Sequence, residues 1–230
     1  MGLILNIETS GKICSVAISR DGVCEYKLDD KRGMKHAEVL APFVEECMSW
    51  VKSENESLDA VAVSLGPGSY TGLRIGLSMA KGVAFGLDIP LIGIDRLKLL
   101  ASIGQFRIPG YTTEELFIPM VDARRMEVFQ GVYDYRMEPV GDVGPKILDS
   151  NSYKEYLETR RVCFVGDGAG KAMEVISSPN AVWMPDILPM AEDMIPFSEM
   201  AWRRQQFIDK AYSVPNYLKE YQTTIAKPKV

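Results

Sequence analysis

Few residues in this chain have the types and spacing that chemistry requires. Residues 64–82, SLGPGSYTGLRIGLSMAKG, crowd glycines between two apolar runs, a setting in which backbone amides can wrap a phosphate. A P-loop needs GxxxxGK followed by Ser or Thr. That spacing is missing, and Lys81 falls well inside the helical pattern that follows. A dinucleotide fingerprint fits only in part. Gly66, Gly68 and Gly72 give GxGxxxG, and Asp95 ends the next apolar run, where a ribose-binding acid belongs. The third glycine is misplaced and the loop sits mid-chain behind a three-strand unit, so this reading is disfavoured. Metal chemistry fares no better. His36 is the only histidine, and Cys14, Cys24, Cys47 and Cys163 are scattered without a CxxC, so a zinc site is hard to assemble. The thiols read as reduced core side chains. His36 precedes a helix amid charged residues and reads as an ordinary surface or capping side chain, with no partner for acid–base work.

The elements that carry these residues form a pattern. Strands are expected at 3–8, 14–19 and 23–28, with a turn at Asp21-Gly22. Val39, Leu40, Phe43, Val44, Cys47, Met48 and Val51 recur at helical spacing. Pro42 marks the start of that helix or a kink in it. A buried strand at 58–65, a helix at 71–85 and a strand at 90–95 complete the first half. The second half offers strands at 116–122, 126–134 and 146–148, a short helix at 153–158 and a strand at 162–167. A helix from Gly168, a short strand at AVWMP and a helix at 198–208 follow. Each half reads as three strands, a helix, a strand, a helix and a strand. That order predicts a duplicated α/β fold of two lobes: 1–104, 105–215, and a polar tail 216–230.

The helix at 71–85 carries the sharpest signal. Gly72, Gly76, Ala80 and Ala84 fall at i, i+4, i+8 and i+12, a stripe of small residues. Leu73, Ile75, Leu77, Met79 and Val83 cover most of the remaining circumference, so the helix must be covered on both sides. Glycine inside a helix costs about 1 kcal/mol against alanine, which implies a packing reason. Either the stripe packs against the helix at 39–51, or it is a subunit interface.

Bulk properties narrow the field. Apolar residues at 47% and charged residues at 25% fit a soluble protein with a sizeable core. A net charge of -5 gives no general attraction to nucleic acid. The N-terminus lacks the order of a secretory signal, and no run approaches the ~18 apolar residues of a membrane helix. A cytoplasmic protein without membrane contact is expected.

The block LGPGSYTGLRIGLSMAKGVAFGLDIPLIGIDRL resembles the signature of the TsaB family. Further matches are LNIETSGKICSVAIS, KHAEVLAPFVE, IPMVDARRMEVFQGVYD, VGDGAG and VPNYLK, so the resemblance covers almost the whole chain. It implies the actin-like, sugar-kinase-like fold of two duplicated lobes. It also implies a role as a bacterial subunit of the machinery that makes threonylcarbamoyladenosine at adenosine 37 of tRNA. The catalytic paralogue of the family, TsaD, carries a metal-binding HxxxH. The matching positions here are Arg96 and Leu100, neither of which can ligate a metal. The resemblance therefore implies a non-catalytic member with no metal, supporting a TsaD-like paralogue. The interface expected for that pairing is Val39, Leu40, Phe43 and Val44 on one helix and Gly72, Leu73, Gly76, Leu77, Ala80 and Ala84 on the other. The same face would form a homodimer when TsaD is absent. A TsaE-like ATPase would engage through the assembly, and tRNA only indirectly. Nothing in the chain resembles a protease site.

Actin-like folds bind ATP between their lobes. The matching turns here are Glu8, Thr9, Ser10 and Gly11 in the first lobe and Asp122, Ala123, Arg124 and Arg125 in the second. Gly166, Asp167 and Gly168 lie where an adenosine contact would be. The first turn has one glycine and the second has none, where close approach to a phosphate favours several. A vestigial cleft is expected at Glu8, Thr9, Ser10, Asp122, Arg124, Gly166 and Gly168. The isolated chain would bind no cofactor tightly, and ATP or ADP would enter only in the complex. Arg124 and Arg125 read as solvated turn residues or as a contact with RNA or a partner. The rival reading is an actin-fold kinase or nucleotide hydrolase using Glu8 and Asp122.

Overall fold

The computed structural model describes residues 2–33 and 35–218. Its first sheet is built from β1 (Leu3–Glu8), β2 (Cys14–Arg20), β3 (Val23–Asp30), β4 (Ala60–Gly66) and β5 (Leu91–Asp95). Asp21 and Gly22 both take positive φ, at 50° and 84°, the primed turn whose twist suits a tight hairpin. It joins β2 to β3, and β1 to β3 run antiparallel. β4 pairs in parallel with β1, and β5 in parallel with β4, giving the order β3-β2-β1-β4-β5. The continuous apolar runs of β1 and β4 fit strands covered on both faces, and both are buried almost throughout. Helices α1 (His36–Ser53) and α2 (Tyr70–Gly86) pack on one face. Pro42 lies inside α1 and does not begin it.

The second half repeats this plan. It contains β6 (Leu116–Asp122), β7 (Glu127–Gln130), β8 (Gly144–Ile147), α4 (Lys154–Leu157), β9 (Val162–Val165), α5 (Ala169–Val175) and β10 (Ala181–Met184). The sheet order is β10-β9-β6-β7-β8. Counted from its own first strand, each sheet therefore has the order third, second, first, fourth, fifth. This is a duplicated α/β fold of two lobes.

Each half then ends in a helix that serves the other half. Helix α3 (Arg96–Arg107) packs on β6 and β9 of the second sheet. Helix α6 (Ile195–Arg203), with the 3-10 turn Ala191–Met194 before it, packs on β1 and β5 of the first. The core runs unbroken from Ile4, Ala62 and Ile92 through Leu97 and Leu100 to Phe117 and Val165. Helix α3 has no counterpart among the helices expected from sequence. It is buried nearly all round, so it carries no polar face to set a period. The expected boundary at 104/105 falls inside it.

The stretch before residue 219 is strapped to the first lobe. Lys81 donates to the carbonyls of Ala211 and Ser213, and the Asn216 amide donates to Leu65 O. Of the expected tail, residues 219–230 lie outside the described residues.

Candidate functional site

The turn after β1 is where the glycine-rich loop does its work. Thr9 Oγ donates to Gly72 O at 2.8 Å, and the Ser69 amide donates to Ser10 O at 2.8 Å. Ser69 caps α2, its side chain accepting from Gly72 N. A Cβ on Gly72 would collide with Thr9 O, and one on Gly76 with Thr9 Oγ1. A Cβ on Gly68 would meet Ser10 O and Arg96 Nη1. The glycines therefore let the N-terminal half of α2 lie directly on the turn of β1. Their close neighbour belongs to the same chain.

This corrects the expected interface. Leu40, Val44, Gly72, Leu73, Gly76, Leu77, Ala80 and Ala84 are all buried by the chain's own sheet and helices. Small residues were right for close packing, and the sheet is what they pack on. Only Val39 and Phe43 of the expected set are partly exposed. The face of α2 that remains open carries Ile75, Met79 and Val83, half-buried and again at four-residue spacing. With Ala37, Arg74, Ser78 and Gly82 they line a shallow groove beside α1. The periodic signal was present in the sequence, on the neighbouring stripe.

The interlobe cleft is built around one cation. Arg96 opens α3 and is only 1% exposed. Its Nη1 donates to Ser10 O at 3.1 Å and to Pro67 O at 3.2 Å, both in the first lobe. Its Nη2 lies 3.7 Å from Asp167 Oδ2 in the second. Asp167 Oδ1 accepts from the Asp122 amide at 3.0 Å. The expected cleft residues Ser10 and Asp122 are thus joined through Arg96 and Asp167, which sequence reasoning did not place between them. Glu8 is fully buried beside them. Its Oε1 accepts from the Ser10 amide at 2.5 Å and from the Ser10 hydroxyl. Burial raises its pKa above the ordinary carboxylate range, against the lowering effect of Arg96 and the Ser10 bonds.

The remaining candidates are committed elsewhere. Asp122 Oδ1 accepts from Lys171 Nζ at 2.8 Å and from the Arg124 amide. Arg124 and Arg125 form an exposed turn with φ of 69° and 48°. Gly166 has φ of 109°, and a Cβ there would meet Met120 O at 2.5 Å; one on Gly168 would meet Val128 Cγ1 at 2.9 Å. Both glycines seat the β9–α5 turn against β6. His36, expected at the surface, is buried in the first turn of α1 because that turn folds down onto the sheet. Leu100 is wholly buried core. Among the described residues no group of three His, Cys, Asp or Glu comes together in a way that would hold a metal, and none of the helices is long and apolar enough to cross a membrane.

With this geometry established, the chain can be compared with known proteins. The family profile for TsaD, tRNA N6-adenosine threonylcarbamoyltransferase, matches residues 31–220. The Escherichia coli tRNA threonylcarbamoyladenosine biosynthesis protein TsaB is 28% identical over 224 residues, covering 94% of each chain. The chain belongs to this family, in its TsaB branch. The crystal structure of YeaZ from Pseudomonas aeruginosa superposes with a TM-score of 0.77 at 27% identity, covering 95% of this chain and 100% of that one. The tRNA N6-adenosine threonylcarbamoyltransferase of Symbiobacterium thermophilum is 36% identical over 113 residues, which is 42% of this chain and 33% of that protein. Similarity thus reaches both a TsaB with the same span and a larger transferase.

Proposed function

We propose that this chain serves the formation of threonylcarbamoyladenosine on tRNA as a non-catalytic subunit. In this role it lies against a TsaD-like protein through the outer faces of α1 and α2. The observation that carries this reading is the groove of Ile75, Met79 and Val83 beside the half-exposed Val39 and Phe43. These apolar side chains stand on a helix pair whose inner faces are already filled. Apolar area covered there stabilises association by roughly 25 cal/mol per Å2 before the cost of ordering two molecules. The family tie to TsaD favours a partner of similar shape, because related chains can pair like with like across an approximate two-fold axis. The same face would make a homodimer when the paralogue is missing, a TsaE-like ATPase would join the pair, and tRNA would be reached through the partner.

A lack of chemistry in the chain itself agrees with the cleft. Arg96 stands where the resemblance to TsaD puts a metal-binding histidine, and a guanidinium offers a metal no lone pair. ATP or ADP would accordingly bind weakly or not at all to the chain alone. The kinase reading would need Glu8 and Asp122 together to hold a metal; Glu8 is buried with Oε1 bonded to Ser10, and Asp122 Oδ1 already pairs with Lys171.

The test is Met79→Glu, titrated calorimetrically against a TsaD-like protein. A charge on the open face should weaken association about a hundredfold or more while the fold survives, since burying an unpaired carboxylate costs several kcal/mol. Unchanged affinity would move the interface elsewhere.

A further inference from the structure

We propose that Arg96 is a positioning residue that couples the packing of the two lobes to the seating of α2, and so to the groove that α2 presents. The inference rests on the docking reading above for its consequence, though not for its geometry. One carbonyl oxygen carries the link. Ser10 O accepts from the amide of Ser69, the capping residue of α2, at 2.8 Å and from Arg96 Nη1 at 3.1 Å. The same nitrogen reaches Pro67 O at 3.2 Å, two residues before that cap. On its other side the guanidinium faces Asp167 of the second lobe at 3.7 Å. A shift of the second lobe therefore pulls on the residues that start α2.

A purely structural account of Arg96 fits poorly. The side chain is 1% exposed, yet its Nε and Nη2 find no hydrogen-bond acceptor among the described residues. Glu8 Oε2 and Ser64 Oγ belong to the same buried polar cluster; Ser64 helps lower the Glu8 pKa, yet neither atom makes a full hydrogen bond. Unpaired buried polar atoms are costly, and ordered waters bridging them are the usual remedy. An apolar side chain of similar volume commonly matches or exceeds the stability of such a charge. What methionine cannot supply is the directional hold on Ser10 and Pro67 together with a positive charge facing Asp167.

The experiment uses Arg96→Met and Asp167→Asn, with Met79→Glu as the docking control. Amide hydrogen exchange is read at residues 68–73, with affinity for a TsaD-like protein and thermal midpoint alongside. Asp167 lies in the other lobe and away from the groove. Asp167→Asn should keep the thermal midpoint while speeding exchange at Ser69 and Gly72 about tenfold and weakening association by about the same factor, the size of a modest coupling between sites. Arg96→Met should do the same more strongly; if it fails to fold, Asp167→Asn decides. Native exchange and affinity in the folded variants would overturn the coupling. Met79→Glu should abolish pairing with exchange at 68–73 unchanged. If it binds normally, the docking reading fails, and exchange alone then judges Arg96.

Discussion

The turn after β1 and the turn after β6 hold the same place in a duplicated topology, and they have been put to opposite uses. The first, at residues 8–11, is sealed. Helix α2, with 17 residues, lies on it through Gly72 and Gly76, and Arg96 at the start of α3 closes it. The second, at residues 122–126, stands open, with Asp122, Arg124 and Arg125 exposed. The helix that faces it, α5, has only 7 residues and reaches it through one long side chain, Lys171. The difference lies in the helix: two glycines and nearly three more turns convert a solvent-facing corner into a seat. The sealed corner holds the helix proposed for docking, and the open one is left to water.

Four substitutions would break or sharpen this contrast. The largest effect is expected from Gly76→Leu, which drives a side chain into Thr9. It should cost about 3 kcal/mol in urea unfolding, the upper end of ordinary overpacking. A loss too small to resolve would mean that the seat is loose. Next is Glu8→Gln, read as a pH series. Burial raises the Glu8 pKa, so the folded chain keeps that proton to higher pH than the unfolded chain does. Stability from this group is therefore full below the unfolded value of about 4.3 and declines as pH rises through the folded value. Glutamine still accepts from Ser10 and should remove the decline, seen as a flatter urea midpoint as pH rises above about 4. In the open turn, Arg124→Gly should raise stability by about 1 kcal/mol, because the left-handed conformation costs an L-residue about that much. A destabilised variant would reveal a contact that the arginine makes. The smallest change is Gly82→Ala on the outer face of α2, where nothing lies within 4 Å of an added Cβ. It should gain roughly 0.5–1 kcal/mol from helix propensity alone.

Much of the fold was legible because its signals are local. The Asp21-Gly22 hairpin, the apolar runs of β1 and β4 and the helical spacing from Val39 to Val51 each follow from a few neighbouring residues. Helix α3 was illegible for a physical reason: a helix enclosed by two sheets has no wet side, and periodicity needs one. The candidate site divided along the same line. Sequence named Ser10, Asp122 and Gly168 as cleft residues; the structure links Ser10 and Asp122 only through Arg96 and Asp167, and Gly168 packs on β6. It also showed that α2 needed cover on both sides, without showing which stripe the sheet would take. Gly72 and Gly76 went inward and Ile75 and Met79 stayed out, a choice made by Thr9, some sixty residues away. Arg96 drew notice as the absence of a metal ligand; its bonds to Ser10 and Pro67 and its ion pair with Asp167 depend wholly on tertiary contacts.

The exchange of end helices bears on how such a molecule can be divided. Because α3 covers the second sheet and α6 the first, neither half owns all of its own roof. Expressed separately, each would present a bare apolar sheet face and precipitate, although each has the strand order of a complete lobe. Co-expression of 1–108 with 109–230 should recover a soluble pair by complementation.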